Sequence, residues 1–253
     1  MNREMQFCDA FQRTCLLIGE DGLARLRDAR VAVFGLGGVG SYAAEVLARA
    51  PIGHLLLVDC DVVTPSNLNR QLPATLDTVG RPKTEVMAER IRRINPAVDL
   101  VALHREFNQD AAAEMLDGRL DYVVDAIDSL SAKVALLAAC RSRGIPVISS
   151  MGAACKFDPA QVRVADLFQT RNCPLAKFVR KRLRHQGITD GVQAVFSPET
   201  PAPNLRLPEV VFEEAALEAA GHKRQINGTI SYMPAIFGLQ CAAVVIRSLL
   251  ERK

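Results

Sequence analysis

The chain has 253 residues, of which 49% are hydrophobic and 23% are charged, and its formal net charge is +3 at pH 7. This composition is ordinary for a globular protein and excludes a disordered or collagen-like chain. The seven cysteines are odd in number and none stands in a C-x-x-C pair, so neither a disulfide framework nor a zinc ribbon is predicted. The polar N-terminus predicts no secretory signal, and we expect a cytoplasmic protein with reduced thiols.

Apolar runs typical of strands alternate with helical segments through the first 150 residues. Strands are predicted at 31–34, 55–58, 98–103, 122–125 and 145–149, and helices near 41–50, 83–94, 109–117 and 131–143. Short Val/Ile/Leu-rich runs separated by helices are typical of a parallel sheet that is covered on both faces. The predicted fold class is therefore α/β, with a Rossmann-like, doubly wound and mostly parallel sheet.

The pattern changes after residue 150. Residues 161–166 alternate as a half-buried antiparallel strand does, 174–186 place apolar residues at helical spacing, and 192–197 alternate again. Four prolines between 198 and 208, followed by 209–223, predict a long and partly mobile excursion. The uncharged run 229–246 predicts a buried C-terminal helix rather than a stable membrane insertion, because Pro234 and Gly238 interrupt it.

These patterns predict one domain over residues 1–253. Its nucleotide-binding Rossmann half would cover 1–150. The second half, 151–253, would hold antiparallel strands, a basic helix, the excursion and the C-terminal helix.

A glycine motif follows the first predicted strand. Gly35, Gly37 and Gly40 form G-x-G-x-x-G directly after the apolar run 31–34. The first glycine permits a tight turn, the second lets backbone approach a phosphate, and the third lets the next helix pack on the strand. Asp59 ends the second strand, where a carboxylate can accept hydrogen bonds from ribose hydroxyls. The segment predicts a nucleotide site but does not identify the nucleotide.

The elements after the second strand supply carboxylates, amides and cations: Asp61, Asn67, Asn69, Arg70, Lys83 and Asp128. Such groups can bind ribose, neutralise phosphates and hold Mg²⁺ through oxygen. They favour chemistry at a phosphate over hydride transfer.

Three segments together carry a family resemblance: GLGGVGS at 35–41, VDCDVVTPSNLNRQ at 58–71 and DAIDS at 125–129. The chain resembles the ATP-dependent adenylating enzymes of the E1-like (ubiquitin-activating, ThiF-type) superfamily, over residues 9–166 with short gaps. Bacterial members of that superfamily activate carboxylates on sulfur-carrier proteins or on modified tRNA. Segments 88–96 and 147–167 are similar to the branch of tRNA threonylcarbamoyladenosine dehydratases.

The resemblance implies an E1-like adenylation fold that uses ATP and Mg²⁺. The implied nucleotide-binding residues are Gly35, Gly37, Gly38, Gly40, Asp59, Asp61, Ser66, Asn67, Asn69, Arg70, Lys83, Asp128 and Ser129. The implied catalytic residues are Arg13, Arg70, Lys83 and Asp128. Asp128 would bind Mg²⁺, and Arg13 would enter the site of the partner subunit in a homodimer.

The implied activity is an ATP-dependent dehydration. The threonyl carboxylate of N6-threonylcarbamoyladenosine in tRNA would be adenylated and then cyclised with release of AMP. The stretch 171–185 contains no acid and offers cations to a tRNA partner: Arg171, Lys177, Arg180, Lys181, Arg182 and Arg184. A solvated helix face has the same charge pattern, so both interpretations stay open.

Three alternatives remain open. The chain would activate a ubiquitin-like sulfur carrier, although it lacks the zinc C-x-x-C pairs common in those relatives. If the glycine motif alone decided the function, the chain would be an NAD-dependent dehydrogenase. It would be a sulfur-relay docking partner if the fold were only a platform, and a sulfur-relay protein is a possible partner in any case.

Overall fold

The computed structural model describes residues 10–116, 119–205 and 226–251. Its strands are β1 Arg30–Phe34, β2 His54–Asp59, β3 Asp99–His104, β4 Tyr122–Asp125, β5 Val147–Ser150, β6 Arg163–Asp166 and β7 Gln193–Phe196. Its helices are α1 Gln12–Asp28, α2 Gly40–Arg49, α3 Lys83–Ile94, α4 Ala112–Met115, α5 Leu130–Ser142, α6 Pro174–Arg184 and α7 Tyr232–Glu251.

Within the described residues the strands form one sheet in the order β3-β2-β1-β4-β5-β7-β6. All neighbouring pairs from β3 to β7 are parallel, and β6 runs antiparallel to β7. From β1 the chain first adds strands on one side, β2 and then β3, and afterwards on the other side, beginning with β4. The switch point of the sheet therefore lies between β1 and β4. In an open α/β sheet, ligands bind outside the carboxyl ends of the strands at such a switch point.

Helices cover both faces of the sheet, because its central strands are apolar on both sides. Packed on one face are α2, α3 and α7, through residues such as Leu47, Ile91 and Phe237. The short α4 lies with α5 and α6 on the other face, through residues such as Leu137 and Val179. This arrangement confirms the predicted fold class.

By length and composition alone, α7 could cross a bilayer. Half of its most apolar window is buried, and Met233, Phe237 and Val245 belong to the core. At Gly238 the helix lies so close to α2 that a Cβ would overlap the carbonyl oxygen of Val39. As predicted, α7 is a core helix of the fold.

Some elements differ from the sequence predictions. The helix expected at 109–117 is confined to Ala112–Met115 among the described residues. No helix was predicted for the segment that forms α1, in which Gly19 has a φ of +73° and kinks the helix. Strand β7 extends the parallel sheet from β5 and is antiparallel only to β6. Residues 206–225 of the expected excursion lie outside the described residues.

Candidate nucleotide-binding site

The glycine turn between β1 and α2 is wedged against two neighbouring segments. Gly35 donates its N–H to the carbonyl of Val58 at 2.8 Å and has a φ of +87°, which disfavours a side chain. A Cβ at Gly35 would lie 2.6 Å from the carbonyl oxygen of Ala126, and one at Gly40 would overlap the carbonyl oxygen of Gly35. Two of the motif glycines are therefore required by the packing of the turn itself.

Gly37 differs from these two, because no atom of the described residues crowds it. A Cβ built there would have its nearest neighbour, Nε2 of Gln71, at 3.8 Å. The start of α2 lies beside it, and the first N–H groups of a helix carry a partial positive charge. A glycine that the fold does not require, next to a helix N-terminus, fits close approach of a phosphate.

Asp59, at the carboxyl end of β2, is fixed in the glycine turn. Its Oδ2 accepts the N–H of Leu36 at 2.5 Å, and its Oδ1 accepts the N–H of Asp61 at 2.7 Å. Burial raises the pKa of Asp59, and the charge of Lys83 opposes that shift. Asp59, the predicted ribose acceptor, therefore lies beside the glycine turn at the switch point of the sheet, where a nucleotide is expected to bind.

Asp61 and Lys83 form an ion pair at the start of α3. Nζ of Lys83 lies 2.8 Å from Oδ2 of Asp61, and the side chain of Lys83 is only 5% exposed. The N–H of Lys83 also donates to the carbonyl of Asp61, and Val62 pairs with Pro82. The loop after β2 is thus folded onto the helix that carries the lysine.

The side chains of the following loop are held by one another. Oδ1 of Asn67 accepts the N–H of Thr64, which caps the 3-10 turn Pro65–Asn67. Arg70 donates to Oδ1 of Asn69 at 2.8 Å and to the carbonyl of Ser66 at 2.9 Å. Asn67 is buried and serves its own turn, whereas Asn69 and Ser66 are exposed beside the half-buried Arg70.

Gln71 was not predicted as a site residue, although it ends the SNLNRQ segment. It is 9% exposed, and its Oε1 is buried without a hydrogen-bond partner in the described part of the chain. The hydroxyl of Thr229, whose carbonyl accepts a bond from Asn69, is likewise buried and unpartnered there. A buried polar atom without a partner is costly, and an orphan beside Gly37 fits a site completed by a ligand.

The loop between β4 and α5 carries Asp128 and Ser129, both exposed at the same edge of the sheet. Asp125 fixes this loop from beneath, since its Oδ1 accepts the N–H of Ile127 at 3.1 Å. Nζ of Lys133 lies 2.6 Å from Oδ2 of Asp125, and both side chains are fully buried. The hydroxyl of Ser149 donates to the same carboxylate at 2.5 Å.

This buried pair was also missed by the sequence predictions. The signal that could have found it is spacing, because Lys133 lies one helical turn beyond Ser129, the residue before α5, and faces back toward β4. Charged side chains are almost never fully buried unless they are paired. The pair holds the loop that presents Asp128.

Asp128 and Ser129 fit a Mg²⁺ ion by their chemistry. Mg²⁺ prefers oxygen ligands and is commonly held by one or two carboxylates together with substrate phosphates and water. Asp59, Cys60 and Asp61 also bring ligand atoms within 4.8 Å of one another, but Asp61 is already paired with Lys83.

The remaining predicted residues lie on other elements. Arg13 is exposed in the first turn of α1. On α6 and just before it, Arg171, Lys177, Lys181, Arg182 and Arg184 are exposed, whereas Arg180 is half-buried and bonds Thr170. Arg184 stacks over Phe168 at 5.4 Å, and Arg182 donates to the hydroxyl of Ser131 at 3.1 Å. Three of the six cations, Arg180, Arg182 and Arg184, thus contact different neighbours in the structure.

The apolar sequence surroundings of Cys60, Cys140, Cys155 and Cys241 predict core thiols, and the predicted loop beside Arg171 makes Cys173 the best candidate for reactivity. The structure differs from this prediction at Cys60 and Cys173. Cys60 is exposed beside Asp59, and Cys173 is buried. Burial raises the pKa of the Cys140 and Cys241 thiols to about 12, so both are unreactive core thiols as predicted. Cys155 is half-buried.

The chain matches known proteins over nearly its whole length. The sequence model of the ThiF family covers residues 11–253. A Bacillus subtilis (strain 168) protein named tRNA threonylcarbamoyladenosine dehydratase is 43% identical over 247 residues, which cover 95% of this chain and 94% of that protein.

Two crystal structures of Escherichia coli tRNA N6-threonylcarbamoyladenosine dehydratase are also similar to it. The complex with ATP matches with a TM-score of 0.85 and the complex with AMP with 0.87. Each is 36% identical, and each match covers 97% of this chain and 95% of the other.

Proposed function

This chain belongs to the ThiF family, within its branch of tRNA threonylcarbamoyladenosine dehydratases, and we propose that it cyclises N6-threonylcarbamoyladenosine in tRNA at the expense of ATP. The observation that carries the proposal is the site at the switch point of the sheet. There an open glycine turn, the half-buried carboxylate of Asp59, the Lys83 cation and the exposed Asp128 converge.

The reaction has two steps. In the first, an oxygen of the threonyl carboxylate attacks the α-phosphate of ATP, the bond to the β-phosphate oxygen breaks, and pyrophosphate leaves. In the second, a carbamoyl nitrogen or oxygen attacks the acyl carbon of the adenylate, AMP leaves with the original carboxylate oxygen, and the attacking group loses a proton. The net result is the loss of one water from the nucleoside, and no side chain is needed as a covalent nucleophile.

The difficulty of the first step is electrostatic, because an anion attacks an anionic phosphate. Lys83 and Arg70 would neutralise phosphate charge, and the loop contacts described above hold both cations in place. Asp59 would bind the ribose, and the amides at Gly37 and the start of α2 would face the phosphates. Removing one such cation commonly costs on the order of 10²-fold or more in rate.

Asp128, with Ser129 beside it, would hold Mg²⁺, which supplies positive charge to the phosphates when bound. The buried pair of Asp125 and Lys133 supports this role, since it fixes the loop that presents Asp128.

We propose further that the active unit is a homodimer and that the full chain, 1–253, is one adenylation domain in the cytoplasm. Strands from both predicted halves share one sheet, which supports a single domain. Arg13 is exposed at the start of α1, next to Leu16 and Leu17, which are 83% and 86% exposed. An arginine beside exposed leucines fits a residue that a second copy would cover, and Arg13 would then reach the phosphates of that copy.

The tRNA would be recognised in part by the cations of α6. Lys177 and Lys181 are exposed, and their helix contains no acidic residue that could neutralise them. This favours contact with tRNA phosphates and a salt-dependent affinity for tRNA.

Pyrophosphate exchange into ATP tests the first step. We expect exchange with tRNA that carries threonylcarbamoyladenosine and none with the same tRNA lacking the modification. Asp128→Ala should abolish exchange, while Asp110→Ala, which removes an exposed carboxylate from the loop before α4, should leave it unchanged. Exchange that required a ubiquitin-like sulfur carrier instead of tRNA would establish the alternative activity.

A further inference from the structure

A large groove lies between α5, α6 and the segment 185–190, on the opposite face of the sheet from α3. Its cavity volume is about 1110 Å³. Sites for drug-sized ligands run to roughly 1,000 Å³, so an elongated ligand would fill it better than a small compact one.

The walls of the groove are basic. Arg141, Arg143, Arg182 and His185 line it, and Asp190 is the single acid among the described lining residues. Arg141 already pairs with Asp190 at 3.4 Å, which leaves Arg143 and Arg182 with no acid in the groove to neutralise them. The groove therefore favours a polyanion.

The floor of the groove is built from small residues of α5. Ala135, Ala138 and Ala139 face it, with Val134 beside them. Without long side chains on the floor, a chain of sugars and flat bases can lie close to the helix. Arginine guanidinium planes on the walls suit stacking with unpaired bases.

The groove begins next to the nucleotide-binding site. Ser131 lines it and lies three residues beyond Asp128, and Arg182 donates to the Ser131 hydroxyl at 3.1 Å. From Ser131 to Arg143 the groove follows α5 for about 18 Å, at 1.5 Å per residue. A ligand whose reactive end lay at Asp128 would thus have its neighbouring units in the groove.

We propose that this groove binds the single-stranded segment of tRNA that flanks the modified nucleoside. The inference rests on the proposed function and adds the path of the RNA and one residue, Arg143, that lies outside the basic helix. Phosphates contact Arg143 and Arg182, and unpaired bases lie over the alanine floor. An acidic protein segment is the alternative occupant, but its carboxylates offer no flat rings to stack on the arginine planes.

Charge removal tests the groove. In the Arg143→Ala/Arg182→Ala variant, modified tRNA should bind at least tenfold more weakly at low salt, and the slope of log affinity against log salt should fall by about 1.4 for two lost single-strand contacts. The matched control is Arg92→Ala/Arg93→Ala, which removes two exposed arginines from the last turn of α3 on the other face. The control should bind tRNA as the wild type does, and both variants should bind ATP normally.

A steric test leaves the charge unchanged. Ser142 is exposed on the groove wall, and Ser142→Trp should narrow the groove and weaken tRNA binding without lowering the melting temperature. Poly-glutamate serves as the probe for an acidic protein.

These binding measurements distinguish failure of the groove proposal from failure of the proposed function. Wild-type affinity for tRNA in both groove variants would overturn the groove proposal and leave the proposed function standing. If poly-glutamate binding fell in the groove variants while tRNA binding did not, the occupant would be an acidic protein. A wild-type protein that bound no modified tRNA would defeat the proposed function itself.

Discussion

Two glycines of the same motif are required for different physical reasons, and this difference can be measured. At Gly35 the positive φ and the nearby carbonyl of Ala126 leave no room for a Cβ, so Gly35→Ala should lower the free energy of unfolding by about 1–3 kcal/mol. At Gly37 the chain leaves room, so Gly37→Ala should fold with unchanged stability. It should nevertheless bind ATP at least tenfold more weakly, because the methyl group would occupy the space of a phosphate.

Urea unfolding and ATP titration of the two variants provide the measurement. Gly80→Ala is a control for positive φ alone, since a Cβ there meets no atom within 4 Å in the described part of the chain. Normal ATP binding by Gly37→Ala would show that no phosphate approaches this turn.

Substitution of Lys133 tests the role of the buried ion pair between Lys133 and Asp125, beneath the site. Lys133→Met leaves the Asp125 carboxylate buried without its cation, and removal of one partner from such a pair costs about 3–5 kcal/mol. In the double variant Asp125→Leu/Lys133→Met no unpaired charge is buried, so most of that stability should return, but the N–H of Ile127 loses its acceptor. Because Asp125 also holds the loop of Asp128, the double variant should remain slow in pyrophosphate exchange while binding tRNA normally. Full activity in the stable double variant would mean that the pair only stabilises the fold.

Between elements, Glu45 joins α2 to α3 through Arg90 and to its own helix through Arg49. Burial raises the pKa of Glu45, but the hydrogen bonds from Arg90 and Arg49 outweigh it and hold the pKa below its ordinary value. A depressed carboxyl pKa contributes stability above the unfolded-state pKa, and that stability is lost as the pH falls through the folded-state pKa.

Glu45→Gln should therefore lower the free energy of unfolding by about 1–2 kcal/mol near pH 7, a range reduced because both arginines are partly exposed. The difference from wild type should shrink toward zero below about pH 4. Urea unfolding at both pH values measures it, with the exposed Glu85→Gln as control. A difference that was the same at both pH values would contradict the assignment to charge.

Elements and site could be predicted to different extents. The strands were predictable because short apolar runs separated by helices have few other interpretations, and all seven lie within a few residues of their expected bounds. Helix α1 was not predictable from the sequence, because Gly19 and Gly22 break its hydrophobic periodicity. Its packing against α7 depends on tertiary contacts, such as the hydrogen bond from Arg25 to the carbonyl of Leu250.

Within the site, the residues that follow strand ends were predictable, because topology alone brings Asp59 and Asp128 to one edge. The interior partners were not. The burial of Lys133 and Gln71 depends on which side of a helix or loop faces the sheet, and polar residues carry no hydrophobic pattern to reveal it. Exposure of Cys60 was missed for a related reason, since it lies just beyond an apolar strand that is itself buried.

At the scale of the whole molecule, the proposed homodimer predicts that two inactive variants restore activity when they form mixed dimers. Arg13→Ala and Asp128→Ala should each be inactive alone. If Arg13 serves the partner's site, a mixed dimer of the two variants contains one complete site, so activity should reappear when the inactive variants are co-expressed. A mixture that stayed inactive, although mixed dimers formed, would place Arg13 in the site of its own chain or outside any site.

The most direct test of the central claim is mass spectrometry of nucleosides from tRNA treated with the purified protein. With ATP and Mg²⁺, threonylcarbamoyladenosine should be replaced by a nucleoside lighter by one water, and one AMP should form for each nucleoside converted. Asp128→Ala should leave the tRNA unchanged. Unaltered threonylcarbamoyladenosine after treatment with wild-type protein that binds both ATP and the tRNA would contradict the account.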